Sequence, residues 1–132
     1  MKSRLNPRLA ASLLMAVLFA GSPDGLRAHD VEQGPNGGPM ITAGDNHLEL
    51  VAKGTDLVVY LSDKKHEPVT AKGASGRAIV QAGGKTSTIV LTPGEGNRLV
   101  GKAEAPIAAG ARVVVSATLP GGPGLQGRFV VK

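Results

Sequence analysis

The chain has no cysteine and no tryptophan among its 132 residues, and only one tyrosine and two phenylalanines. Without cysteine there is no disulfide framework, no thiolate metal site and no cysteine nucleophile. Without tryptophan as well, the Cys…Trp…Cys core of a true immunoglobulin domain is excluded. Scarce aromatics also argue against nucleic-acid binding, because stacking platforms need exposed rings and only Tyr60 and Phe129 lie beyond the first 28 residues. No apolar run approaches the roughly 20 residues that a membrane-spanning helix needs.

The longest apolar run is Leu9 to Ala20, behind the positive residues Lys2, Arg4 and Arg8 and ahead of the helix breakers Gly21, Pro23 and Gly25. That is the order of a secretory signal peptide, and the small residue Ala28 marks the expected cleavage site. Residues 1–28 are therefore expected to be a leader, and the remainder periplasmic or secreted, with no permanent membrane anchor. The net charge of +5 belongs largely to this leader. Beyond Ala28 the chain holds eleven basic and nine acidic residues. A balance this even removes the usual argument from basicity to nucleic acid.

Residues 29–39 (HDVEQGPNGGP) are rich in glycine and proline and read as a flexible arm or a pair of turns. From Met40 to Lys132, short runs of Val, Ile, Leu and Thr recur between turn residues. The alternation is clearest in Asn46–Lys53 and Asp56–Ser62, where Leu48, Leu50, Leu57, Val59 and Leu61 fall on one face. Pro68–Lys72 reads as an edge strand, since proline cannot donate to a central ladder. Arg77–Ala82 and Lys85–Thr92 flank Gly83-Gly84, a hairpin signal. Arg98–Glu104, Ala111–Leu119 and Leu125–Lys132 complete the set. About eight strands with no crossover helix predict an all-β fold, a small antiparallel β-sandwich of immunoglobulin-like type, with a small closed barrel as the alternative. The expected core is aliphatic and includes Ile79, Ile89, Leu91, Leu99, Val113, Val115 and Phe129.

The runs HLELVAKGTDLVVYLSDKKHEPV, AKGASGRAIVQAGGKTSTIVLTPGEGNRL and ARVVVSATLPGG resemble small secreted β-rich proteins of Gram-negative bacteria, some of which accompany heavy-metal resistance or efflux genes. The pattern ELVAK…LVVYLSD…EPV is also similar to an N-terminal segment of heavy-metal efflux adaptor (membrane fusion) proteins. The resemblance spans Pro35 to Lys132 and rests mostly on strand-and-turn pattern. It implies an envelope protein or efflux component as partner. Where relatives of this pattern carry several histidines near the mature N-terminus, this chain offers His29 alone.

The candidate metal ligands are His29, His47, Glu49 and His66. Neutral imidazole suits copper or zinc, and a carboxylate can complete the shell of a divalent ion. His47 and Glu49 stand two apart in a strand and so share a face. If strands 46–53 and 56–62 form a hairpin, His66 returns to the start of the first strand, near His47. Cleavage after Ala28 would also give His29 a free α-amine beside its imidazole, a chelating pair for copper. The competing reading makes His47 and Glu49 the solvated face of an edge strand and His66 an ordinary loop residue.

No enzyme is expected. Ser75 in GASG lacks the G-x-S-x-G frame. The acidic residues suggest no glycosidase pair, and PGEGN and PGGPG lead into neither Gly-Lys-Ser/Thr nor a helix. The expected function is a non-enzymatic binding or accessory protein, metal-binding or allied to heavy-metal efflux. The alternative is a structural or protein-interaction module without metal, pairing through an exposed sheet edge.

Overall fold

β-branched and aliphatic residues at every second position force the chain to choose pleated strands, because only a two-residue period puts them all on one side. The computed structural model describes residues 31–132, so the expected leader and His29 lie outside the described residues. Nine strands and no helix are found among these. They are β1 (Glu32–Gln33), β2 (Pro39–Ala43), β3 (Asn46–Lys53), β4 (Asp56–Asp63), β5 (Ser75–Ala82), β6 (Lys85–Pro93), β7 (Arg98–Lys102), β8 (Arg112–Thr118) and β9 (Gly124–Val130). All pair antiparallel, in the order β1-β2-β3-β4-β7-β6-β5-β8-β9.

This single sheet curls like a half-barrel. Its two halves join where Thr92 and Pro93 of β6 pair with Val100 and Leu99 of β7. At the far ends, β9 returns beside β2 without a ladder between them. The Ile41 side chain there occupies the space a Cβ on Gly127 would need. Glycine at 127 thus lets the curl close on side chains rather than on hydrogen bonds.

One aliphatic core fills the concave side. Leu48, Leu50, Leu57, Val59, Leu61, Leu91, Leu99, Val113 and Val115 are fully buried within it. Burying side chains of this size contributes about 1.5–3 kcal/mol each before the entropic cost of ordering them. Ile79 is a correction to the expected core. It shares its face with Arg77 and Gln81, so Ala78 and Val80 point inward instead.

Two other expectations change. Pro68–Lys72 forms no strand; only an isolated bridge joins Pro68 to Ser62. The N-terminal arm, from Glu32 on, is part of the sheet. β1 pairs with β2, and Gly34–Gly38 closes a turn through Gly34 N–H to Gly38 O (2.8 Å) and Gly37 N–H to Gly34 O (3.0 Å).

Candidate functional site

The β3–β4 hairpin sets the site. Its register pairs His47 with Ser62 and Glu49 with Tyr60, while β2 lays Thr42 against His47 and Met40 against Glu49. Leu48 and Leu50 take the core side, so His47, Glu49, Met40 and Thr42 share the convex face. That face is covered here. β3 lies between β2 and β4 rather than at an edge, and His47 and Glu49 are only 8% and 2% exposed. Two lids explain the burial: the Gly34–Gly38 turn over Glu49, and the loop after β4 over His47.

That loop is a tight turn organised by Asp63. Its Oδ1 accepts the N–H of Lys65 (2.8 Å) and of Glu67 (2.9 Å), and its carbonyl accepts the N–H of His66 (2.9 Å). The Glu67 N–H is the main reason the Asp63 carboxyl is held below the ordinary aspartate value. The Lys65 N–H and the charges of Lys65 and His66 act in the same direction, against some desolvation. His66 takes the left-handed conformation, with φ 68°. This conformation costs a non-glycine residue of order 1 kcal/mol or more, and His tolerates it better than most.

The turn delivers His66 onto His47. The two rings stack with centroids 4.2 Å apart and planes 20° from parallel. His47 is fixed from its other side, where Nδ1 lies 3.2 Å from Thr42 Oγ1 in a hydrogen bond. That leaves Nε2 as the nitrogen free to meet a ligand. His66 is exposed. An imidazole binds an ion in its own plane at about 2.0–2.1 Å, and two nearly parallel planes meet only far beyond that reach. The stacked pair therefore does not grip one ion as it stands.

Glu49 has a different occupation. Its Oε2 accepts the N–H of Asn36 (2.8 Å) and of Gly38 (2.9 Å), and its Oε1 accepts Asn36 Nδ2 (3.0 Å). The carboxylate thus holds the Gly34–Gly38 turn against β3, and its lone pairs are largely committed. A Cβ on Gly34 would strike this carboxylate, which accounts for glycine there. Among the described residues, no group of three or more His, Cys, Asp or Glu side chains is disposed to hold a metal ion.

Compared with protein-family models, curated proteins and solved structures, the chain matches none.

Between the two lids lies a cleft of about 70 Å³, lined in part by Met40, Glu49, Tyr60, His66 and Asn97. Met40 is a participant absent from the candidate ligands read in the sequence. Its parity with Thr42, and hence with the residues facing His47, is the signal that would have found it. Asn97 is likewise silent in the sequence. Its Nδ2 donates to Leu61 O (2.8 Å) and its carbonyl accepts the N–H of Leu61 (2.9 Å), so the β6–β7 turn becomes a wall of the cleft.

Proposed function

We propose that the protein is a non-enzymatic binding module of the bacterial envelope, periplasmic or secreted, and that its ligand is a copper or zinc ion taken up at His47 and His66. The observation that carries the reading is the His47–His66 pair: residues 19 apart in the chain are brought ring to ring beside a cleft lined in part by Met40. Imidazole suits copper and zinc, and a thioether in the shell would favour copper. His47 is the fixed ligand, His66 the one that turns, and Glu49 the group that keeps the site's roof in position. Association with a heavy-metal efflux component is supported by the resemblance of the ELVAK…LVVYLSD…EPV run. The same reading takes the two halves of the curled sheet, β1–β4 with β7 and β5–β6 with β8–β9, as the layers of an immunoglobulin-like sandwich.

The test is calorimetric titration of the exported form with Zn(II) and Cu(II), in a His29→Ala background to remove the chelating N-terminus. The expected Kd lies below about 0.1 mM, equivalent to about 5.5 kcal/mol. A His47→Gln/His66→Asn variant should lose it. Asparagine is chosen at 66 because it tolerates the left-handed backbone. Equal affinity in that variant would refute the assignment.

A further inference from the structure

Strands β6, β5, β8 and β9 form one half of the curled sheet, and none of them carries an acidic residue. Residues 68–94 and 105–132 contain no Asp or Glu, yet they hold Arg77, Arg112 and Arg128. All three arginines are exposed. They alternate with the buried Ala78, Val113 and Phe129, which puts them on the convex face of the sheet. Across the β8–β9 ladder, Arg112 stands opposite Val130 and Val114 opposite Arg128. Arg112 and Arg128 are therefore diagonal neighbours, with Cβ atoms about 7 Å apart, close enough for two such long side chains to meet at one point. Neither ion pair among the described residues, Arg98–Glu95 or Lys102–Asp56, involves them.

A groove of about 480 Å³ crosses this face beside the pair. Arg112, Arg128, Val114, Val130 and Val31 line it, and β2 walls it off with Pro39. It lies on the outward face of β9 and not along the edge, where Ile41 fills the space beside Gly127. Val31 and Val130 are 58% and 57% exposed, and no Asp or Glu is among the lining residues. Arginines that serve solubility alone are interspersed with acidic residues; here two stand together without one, beside bare valines. We infer that the groove binds a single amphiphilic anion. Its oxyanion, carboxylate or phosphate, is held between Arg112 and Arg128, since the guanidinium fork matches either. Its aliphatic body lies over Val114 and Val130 and ends against Val31 and Pro39. The volume is that of a small-molecule site, and a concave groove takes one molecule rather than a flat bilayer. The site is separate from His47 and His66, and the inference does not depend on metal binding.

The probes are decanoate and decyl phosphate, each titrated as monomers into the purified protein and followed by amide shifts. Saturable changes should centre on Arg112, Val114, Arg128 and Val130, with a Kd below about 1 mM for at least one of the two. Binding should weaken as salt rises, and the tighter probe names the preferred headgroup. Acetate, which lacks the chain, and decyltrimethylammonium, which reverses the charge, should each bind at least tenfold more weakly. An Arg112→Gln/Arg128→Gln variant should weaken the decyl anions at least tenfold. Val130→Ser, at an exposed position, should weaken them several-fold while leaving the fold intact. Equal binding of decyltrimethylammonium, equal binding of acetate, or no saturation by either decyl anion would each overturn the inference. Adherence to anionic vesicles without binding of the monomers would overturn it too, and would assign the face to a membrane surface. Should the double variant fail to fold, the unaltered protein decides: shifts centred on the groove support the site, and shifts centred elsewhere reject it.

Discussion

Replacing Glu49 by alanine tests how the roof of the site is held. The carboxylate is 2% exposed and accepts three hydrogen bonds, two of them from backbone N–H groups of the Gly34–Gly38 turn. Hydrogen bonds to a charged group contribute about 1.5–3 kcal/mol, and each buried donor left without an acceptor costs about 1–3 kcal/mol. Asn36 is exposed and regains water, so the buried Gly38 N–H bears the main loss. Adding the vacated side-chain volume, Glu49→Ala should cost about 3 kcal/mol. Glu49→Gln is the informative partner. Its carbonyl oxygen can replace Oε2 for both backbone donors, and Asn36 can flip its amide to accept from the new NH₂. Only the charge assistance is then lost, about 1 kcal/mol. Urea unfolding followed by circular dichroism measures both, with the slope expected unchanged so that midpoints report stability. If Glu49→Ala lies within about 0.5 kcal/mol of the parent, a level typical of surface substitutions, the clamp is not structural and the reasoning fails.

Gly34→Ala drives a methyl into the same carboxylate and should destabilise the protein by about 1–3 kcal/mol; in a Glu49→Ala background most of that cost should vanish, as a double-mutant cycle would show. Gly127→Ala should displace Ile41 and open the β2–β9 seam, seen as faster amide exchange at Ile41 and in β9. The Asp63 turn gives a pH dependence of definite sign. Its folded-state value is depressed, chiefly by the Glu67 N–H, so its stabilisation is complete above the ordinary aspartate range and is lost as pH falls through the lowered value. The Lys65 and Glu67 amide resonances should therefore move at a pH below 3.8, and a midpoint above that value would contradict the geometry.

Much of the fold was legible because alternation survives wherever one face is buried. β4, β8 and β9 carry a clear inside-outside pattern, and the glycine turns that join strands are tight. Gly83 and Gly84, for instance, both adopt positive φ as a two-residue hairpin requires. Ile79 misled because hydrophobicity outweighed parity: its neighbours two residues away, Arg77 and Gln81, already assigned it to the outer face. Pro68–Lys72 failed as a strand because proline allowed an edge assignment that no ladder partner supports. A turn in this segment was one of the two readings its glycines and proline allowed; what they did not show is that Glu49 anchors it. For the same reason, Glu49 read as a free carboxylate. Local spacing shows that a carboxylate shares a face with a histidine; it does not show which distant amides will reach it first. The contact between His47 and His66 follows from hairpin register and the left-handed turn together, and only the first is written in the strand pattern.

The most direct test of the account is paramagnetic broadening of amide resonances on adding substoichiometric Cu(II) to the protein carrying His29→Ala. The account predicts that His47, His66 and the residues beside them, Thr42 and Ser62 above all, broaden first while β5 and β8 stay sharp. Broadening spread evenly over the surface, or centred away from the β3–β4 hairpin, would contradict it.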